Sequence, residues 1–111
     1  TIEVVHGEDK GNFFRNDSEC QIRTLSPLHM EKSIEFYELR IAAGASLASA
    51  PHYEGTKELL TITSGQAKLI SGDNCTELGQ GDSAHYRADL SHAIENCGKK
   101  ELVCYLVVTS P

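Results

Sequence analysis

The stretch ELLTITSGQAKLISGDNCTEL, residues 58–78, decides the fold class of this chain. It contains two runs rich in apolar and β-branched residues, 58–63 and 66–70, separated by Ser64-Gly65. The cluster Ser71-Gly72-Asp73-Asn74 is typical of a tight turn and should close a hairpin onto residues 75–78. Short strands joined by glycine-containing turns indicate antiparallel β-structure.

Strand-like segments continue on both sides of this stretch. In residues 33–41, Tyr37, Leu39 and Ile41 alternate with Glu38 and Arg40, as expected for a half-buried strand. Helical periodicity is weak throughout the chain. The remaining predicted strands are residues 20–25, 83–87, 93–96 and 101–108. Many short strands without a convincing helix predict an all-β sandwich or barrel.

Length and charge limit the possible functions. A chain of 111 residues predicts one domain. Its 10 basic and 16 acidic residues give a net charge of −6, which argues against direct binding of nucleic acid or of an anionic membrane. The longest apolar run, residues 102–108, is too short to span a bilayer. The four cysteines form no C-x-x-C pair, and without a secretory signal we expect reduced thiols in the cytoplasm.

The first residues differ in character from the rest. Residues 7–12 are polar and rich in turn formers, with Phe13-Phe14 as an isolated apolar anchor. We interpret residues 1–25 as an N-terminal arm and first strand, and residues 26–111 as the main domain. Because the chain opens at Thr1 without a methionine, we expect it to be part of a longer protein.

Two histidines and two glutamates form the candidate chemical site. On an extended strand, residues two apart project from the same face, so His52 and Glu54 should point at one spot. Glu58 can return to that spot after a bend at Gly55-Thr56, and His92 follows a turn far along the chain. Nitrogen and oxygen ligands in this mixture suit Zn, Fe, Mn, Ni or Co. The alternative is a metal-free pocket in which the histidines hydrogen-bond to the glutamates.

Glycine residues frame these candidates at regular spacing. The first series is Gly44, seven residues, His52-Tyr53-Glu54, three residues, Glu58, six residues, Gly65. The second series is Gly81, five residues, Arg87-Ala88-Asp89, two residues, His92, three residues, Asn96. These series resemble the two motifs of the cupin superfamily, which implies a jelly-roll barrel. Two departures are Glu54, where the family has a second histidine, and Arg87-Ala88-Asp89, where it has P-x-G.

The stretches 51–60 and 81–92 resemble one subgroup, the C-terminal cupin domains of bacterial transcription regulators that carry an N-terminal helix-turn-helix. This resemblance implies a sensing and dimerising domain, a homodimer that contacts DNA only through a separate N-terminal domain. The expected effector is a small polar metabolite such as an amino acid. The resemblance places His52, Glu58 and His92 at metal-ligand positions and Glu54 at the fourth. We expect zinc, with iron, manganese and nickel as alternatives.

Three further residues are candidates for contact with the effector. Tyr86 has the parity to face the barrel interior and would use its hydroxyl, although it could equally fill the core. Tyr37 is a second candidate that could also be a core residue. Arg40 could pair with an effector carboxylate or form a surface ion pair. The histidines that match no motif are treated as surface residues: His6, His29 and His85.

Other functions fit the same residues. His52, His92 and Glu58 could form the two-histidine, one-carboxylate set of a small metal-dependent enzyme, a dioxygenase or an isomerase. A metal-free storage or interaction domain is a third reading. Fold alone does not decide between these functions. The regulatory reading predicts a chain that is not itself an enzyme.

Overall fold

A computed structural model, which describes residues 1–27 and 33–111, arranges ten strands in two antiparallel sheets. His29, treated above as a surface residue, lies outside the described residues. The strands are β1 (Phe13–Asn16), β2 (Cys20–Thr24), β3 (Ile34–Ile41), β4 (Ser46–Ser49), β5 (Lys57–Ser64), β6 (Ala67–Ser71), β7 (Asn74–Leu78), β8 (Ser83–Arg87), β9 (His92–Asn96) and β10 (Leu102–Thr109). Within the described ranges, no helix has the length and hydropathy needed to cross a membrane.

The order of strands in each sheet shows how the barrel closes. The six-stranded sheet has the order β1-β2-β3-β10-β5-β8, and the four-stranded sheet has the order β4-β9-β6-β7. From β3 to β10 the chain passes back and forth between the sheets, except at the β6–β7 hairpin. The expected all-β jelly-roll barrel is confirmed.

Strict alternation of side chains builds the core between the sheets. In β5 the buried residues are Glu58, Leu60 and Ile62, while the intervening residues face outward. Strand β10 follows the same rule, with Leu102 and Cys104 fully buried. Each buried leucine or isoleucine contributes about 1.5–3 kcal/mol relative to an exposed one.

Strand β2, assigned above to the N-terminal segment, is part of the six-stranded sheet. It contributes Cys20 and Ile22 to the core. The arm before it is attached by the Arg23 guanidinium, which donates to the His6 carbonyl at 3.3 Å, and by the Thr24 amide, which donates to Asn12 at 2.7 Å.

The predicted strand positions agree with the structure, apart from two omissions. Strand β8 has the predicted bounds, and the other predicted strands differ by one residue at one or both ends. Strands β1 and β4 were not predicted. The sequence of β4, Ser-Leu-Ala-Ser, has low intrinsic β propensity, and its pairing with β9 imposes the extended conformation.

Two of the framing glycines have a clear structural reason. Gly65 has a φ of +97°, and a Cβ atom there would lie 3.1 Å from both the Glu101 carbonyl oxygen and Leu102 Cα. Gly81 has a φ of +88°, and its amide donates to the Ile62 carbonyl at 2.8 Å. Both turns therefore need a residue that adopts positive φ without strain.

The cysteines are free, and two of them belong to the core. Cys20 and Cys104 are buried, whereas Cys75 and Cys97 are exposed. Burial raises the pKa of the Cys104 thiol to about 12. This thiol therefore stays protonated and packs as a small apolar side chain.

Candidate metal centre

Three of the four predicted ligands converge at one end of the barrel. His52, Glu58 and His92 each offer one ligand atom, and these atoms all lie within 4.8 Å of one another. Glu58 Oε2 lies 3.6 Å from His52 Nε2 and 3.4 Å from His92 Nε2. The two imidazole rings have centroids 5.1 Å apart. Such spacing suits one ion bound between all three side chains.

His92, the first residue of β9, is held in one orientation. Its Nδ1 atom lies 2.8 Å from the Leu90 carbonyl oxygen, so Nδ1 donates this hydrogen bond and Nε2 is the ring nitrogen left to bind a metal. Nε2 is buried and has no hydrogen-bond partner among the described residues. A buried nitrogen without a partner is costly unless something occupies the space it faces. Its direction toward Glu58 fits a divalent metal.

Glu58 is the buried acid of the site. It is 3% exposed, and its Oε1 atom accepts a hydrogen bond from the Tyr86 hydroxyl at 2.6 Å. Burial, and then the charge of Glu58, raise the pKa of Tyr86 well above its ordinary value. The phenol therefore keeps its proton and continues to donate, which leaves Oε2 of Glu58 free for a metal.

The loop that carries His52 is fastened to the segment before His92. The His52 amide donates to the Ala88 carbonyl at 2.9 Å, and the Ala88 amide donates to the Thr56 carbonyl at 2.9 Å. These bonds place His52 through its backbone, whereas 43% of its side chain remains exposed.

An ion pair completes this attachment, and we call it the Arg87–Asp89 latch. Arg87 donates to both carboxylate oxygens of Asp89, at 2.9 and 3.1 Å. The Gly55 amide donates to Asp89 Oδ2 at 2.9 Å. The hydrogen bond from Arg87, with that from Gly55, lowers the pKa of Asp89 to about 2. The departure from P-x-G at these positions thus supplies a charged link to the first motif.

The structure does not bring Glu54 into the group. Its side chain is exposed in the turn formed by residues 53–55. The parity argument required an extended strand from His52 to Glu58, but β5 begins only at Lys57. The structure thus corrects the prediction of Glu54 as the fourth ligand, because residues two apart share a face only within a strand.

The three predicted effector residues have different surroundings. Tyr86 faces the interior and contacts Glu58 directly. Tyr37 also faces the interior, where its hydroxyl donates to Glu35 and its ring packs 6.3 Å from that of Phe14. Burial is the first cause that raises the pKa of Tyr37.

Arg40 lies on the outer face of the six-stranded sheet, which corrects its assignment to the effector site. Its guanidinium bonds Glu38 at 3.1 Å and Glu101 at 3.0 Å. The neighbours Leu39 and Ile41 are buried, so alternation turns Arg40 outward.

Two residues near the site were not recognised from the sequence. Glu35 and Glu58 both pair with Val108, from the two strands that flank β10. Ser71 pairs with His92 across β6 and β9, and its hydroxyl donates to the Arg87 carbonyl at 3.0 Å. The signal for Glu35 was its shared parity with Tyr37. Ser71 was read only as part of a turn.

Comparison with known proteins identifies the family. The profile of the family described as Cupin domain matches residues 37–109. The chain belongs to this cupin family. No curated protein sequence matches it.

The fold of this cupin domain is similar to solved structures of regulators and of a predicted decarboxylase. It is similar to an HTH_3 family transcriptional regulator from Vibrio cholerae, with a TM-score of 0.76, 24% identity, and coverage of 84% of this chain and 52% of that one. The chain therefore spans about half the length of that regulator. A Cupin_2 domain of an XRE family transcriptional regulator from Enterobacter cloacae has a TM-score of 0.77 at 20% identity, covering 83% and 97%.

A third similar structure is a predicted oxalate decarboxylase from Thermotoga maritima. Its TM-score is 0.72 at 21% identity, with coverage of 83% of this chain and 81% of that one. At these identities the similarities show the fold alone. The same barrel therefore occurs in proteins of different function.

Proposed function

We propose that this cupin domain senses a small polar metabolite for a cytoplasmic transcription regulator and holds a divalent metal at His52, Glu58 and His92. The observation that carries the metal site is the buried Nε2 atom of His92. It faces a carboxylate and a second imidazole and has no hydrogen-bond partner within residues 1–27 and 33–111. The similar regulator domains support the regulatory role.

The donor set is consistent with zinc, and also with iron, manganese or nickel. When bound, such an ion supplies a Lewis-acidic position at which an oxygen or nitrogen atom of a ligand can be held. His92 contributes a preset nitrogen, Glu58 contributes Oε2, and Tyr86 holds the other carboxylate oxygen. His52 completes the set from the rim of the barrel, where its side chain remains partly exposed.

Elemental analysis combined with native mass spectrometry tests the metal site. We expect one metal ion per chain in the parent, reduced metal occupancy in His52→Ala, and full occupancy in His6→Ala. His6 is the control because it is exposed and lies outside the group. A parent that binds no metal after incubation with Zn²⁺, Fe²⁺, Mn²⁺ and Ni²⁺ contradicts the proposal.

A homodimer belongs to the same proposal, because an effector can then alter the spacing of two attached DNA-binding domains. The outer face of the six-stranded sheet supports this pairing. Val107 pairs with both Phe36 and Leu59 there, and the latter two are 38% and 46% exposed. The Phe36 ring lies 6.1 Å from that of Tyr105. Such an apolar row resembles the core of a protein interface.

Sedimentation equilibrium tests the dimer. Phe36→Glu should yield a monomer, whereas Phe14→Glu should remain dimeric. Phe14 is a matched control because it is also an exposed phenylalanine but lies on strand β1, away from this row. A monomeric parent, or equal effects of the two substitutions, contradicts pairing through this face.

The second candidate is a small metal-dependent enzyme, a dioxygenase or an isomerase. The observation that favours it is the set of two imidazoles and one carboxylate, which leaves positions open on a metal. Oxygen consumption by the iron-loaded chain in the presence of small thiols or diketones would favour this candidate. We propose the regulatory role first and infer no enzymatic activity for the chain.

A further inference from the structure

A cavity of about 340 Å³ lies between β7 and β8, each of which is the last strand of its sheet in the described part of the chain. Its volume is at the small end of the ~300–1,000 Å³ range of ligand pockets. The inner wall is formed by buried or half-buried residues, namely Leu69, Ser71, Ala84, Tyr86 and Leu90. The remaining lining residues are exposed and form its rim.

The cavity adjoins the proposed metal centre. Tyr86 lines it and also donates to Glu58 at 2.6 Å, and its ring lies 6.2 Å from that of His92. Ser71 lines it as well and pairs with His92 across the sheet. A molecule in this cavity would therefore contact residues that position two of the three metal ligands.

The hydrogen-bonding state of the inner wall restricts what can bind. The Tyr86 hydroxyl already donates to Glu58, and the Ser71 hydroxyl already donates to the Arg87 carbonyl. Each hydroxyl has one hydrogen to donate but can still accept. The inner wall therefore offers acceptors, and a ligand that fits it must bring its own donor.

Charge in the lining restricts the ligand further. None of the ten residues that line the cavity, all in the described part of the chain, is an aspartate or a glutamate. An ammonium group would thus lose water without gaining a carboxylate partner from the lining. The guanidinium of Arg87 is the lining's permanent positive charge, and it is already paired with both oxygens of Asp89. An anion would therefore gain little there.

We propose that this cavity binds a small neutral molecule with a hydroxyl or primary amide donor and a short apolar body. The donor faces Tyr86 and Ser71, and the apolar body packs on Leu69, Ala84 and Leu90. This assignment rests on the proposed sensing function for its biological meaning. Its geometry requires no bound metal, so it can fail or succeed independently of the metal site.

A series of four-carbon probes tests the ligand class: 1-butanol, butyramide, butyrate and butylamine. The parent chain is labelled with nitrogen-15, and backbone amide shifts are followed by NMR during each titration, with and without Zn²⁺. We expect saturable shifts at Leu69, Ala84 and Tyr86 with the two neutral probes. Binding of the charged probes should be weaker by about tenfold or more.

Leucine substitutions at two alanines test the location of the binding site. Ala84→Leu fills the cavity and should weaken butyramide binding by about tenfold or more. Ala93→Leu adds the same side chain at another half-buried alanine, which does not line this cavity, and should leave binding within about twofold of the parent. Amide spectra of both variants report whether each retains the parent fold.

Each outcome decides the proposal. Selective binding of the neutral probes that Ala84→Leu abolishes and Ala93→Leu preserves supports it. Equal or tighter binding of butyrate or butylamine, equal effects of the two leucine variants, or no saturable binding of any probe overturns it. Neutral binding in a chain that takes up no Zn²⁺ would preserve this cavity assignment while contradicting the metal site.

Discussion

The two histidines of the proposed metal centre are held in contrasting ways. The His92 side chain is 3% exposed and fixed through Nδ1 by the Leu90 carbonyl. The side chain of His52 is 43% exposed, and the hydrogen bond that positions this residue is made by its backbone. One half of the site is therefore preorganised by burial, and the other depends on how a loop is fastened.

Because of this contrast, we expect the two histidines to have different roles. A ligand that is already ordered loses little conformational entropy when it binds a metal, whereas an exposed side chain must be ordered at that moment. His92 should therefore dominate metal affinity. His52 lies on the loop fastened by the Arg87–Asp89 latch. Its position should therefore change more readily when that loop or its surroundings change.

Removing each histidine in turn is the largest expected effect. His92→Ala should weaken Zn²⁺ binding by more than about 100-fold. This exceeds the loss of about 10–100-fold in affinity that is typical when a residue supporting a metal ligand is changed. His52→Ala should weaken it by about 10–100-fold, because one exposed donor is lost from a site that otherwise stays ordered. Competition titrations with a chromogenic chelator measure both affinities. A larger loss in His52→Ala than in His92→Ala would reverse the comparison.

Removing the Tyr86 hydroxyl is the next test, because it acts on the buried half alone. Tyr86→Phe removes the donor to Glu58 Oε1 and should weaken Zn²⁺ binding by about tenfold or more. Tyr105→Phe is the matched control, since its hydroxyl donates at 3.2 Å to Glu38 on the outer face. If both variants bind Zn²⁺ like the parent, Tyr86 does not position the carboxylate.

The smallest expected effect concerns Asp89, which fastens the loop that carries His52, and this effect depends on pH. Asp89 has a pKa of about 2 in the folded chain against an ordinary value of 3.8. The stability that its charge contributes is fully present above about pH 4 and is lost as the pH falls toward about 2. The melting temperature of the parent should therefore approach that of Asp89→Asn across this window.

Thermal unfolding followed by circular dichroism across pH 2–6 measures this difference. Asp73→Asn serves as the control, because Asp73 is exposed in the turn between β6 and β7 and is not a member of the Arg87–Asp89 ion pair. A gap between the parent and Asp89→Asn that stays constant across the window would show that the carboxylate charge does not fasten the loop.

The sequence predicted the parts of the fold that depend on local pattern. Alternation in residues 33–41 already placed Leu39 and Ile41 on one face and Arg40 on the other. It therefore favoured the surface ion pair of Arg40 over its contact with an effector. Strand β4 escaped prediction because its residues have little β propensity, and its partner β9 lies far along the chain. Pairing between distant segments cannot be read from either segment alone.

The candidate site likewise has parts that the sequence predicted and parts that it did not. The spacing of the two motifs was enough to select His52, Glu58 and His92, because resemblance transfers positions in the chain. It also selected Glu54, which the turn before β5 carries away from the group. Residues two apart share a face only where the backbone is extended, and the tertiary context decides where the extended segment ends.

The sequence by itself determined the alternating strands and the glycine turns, because each depends on residue type and short-range spacing. Its resemblance to the cupin motifs selected the chain positions of the three proposed ligands. Only the tertiary structure decided that Tyr86 holds Glu58, that Asp89 fastens the loop of His52, and that a cavity opens between β7 and β8. The physical reason is that these contacts join residues from segments brought together by strand pairing and loop packing. Their distances follow from the closure of the whole barrel and from no single segment of it.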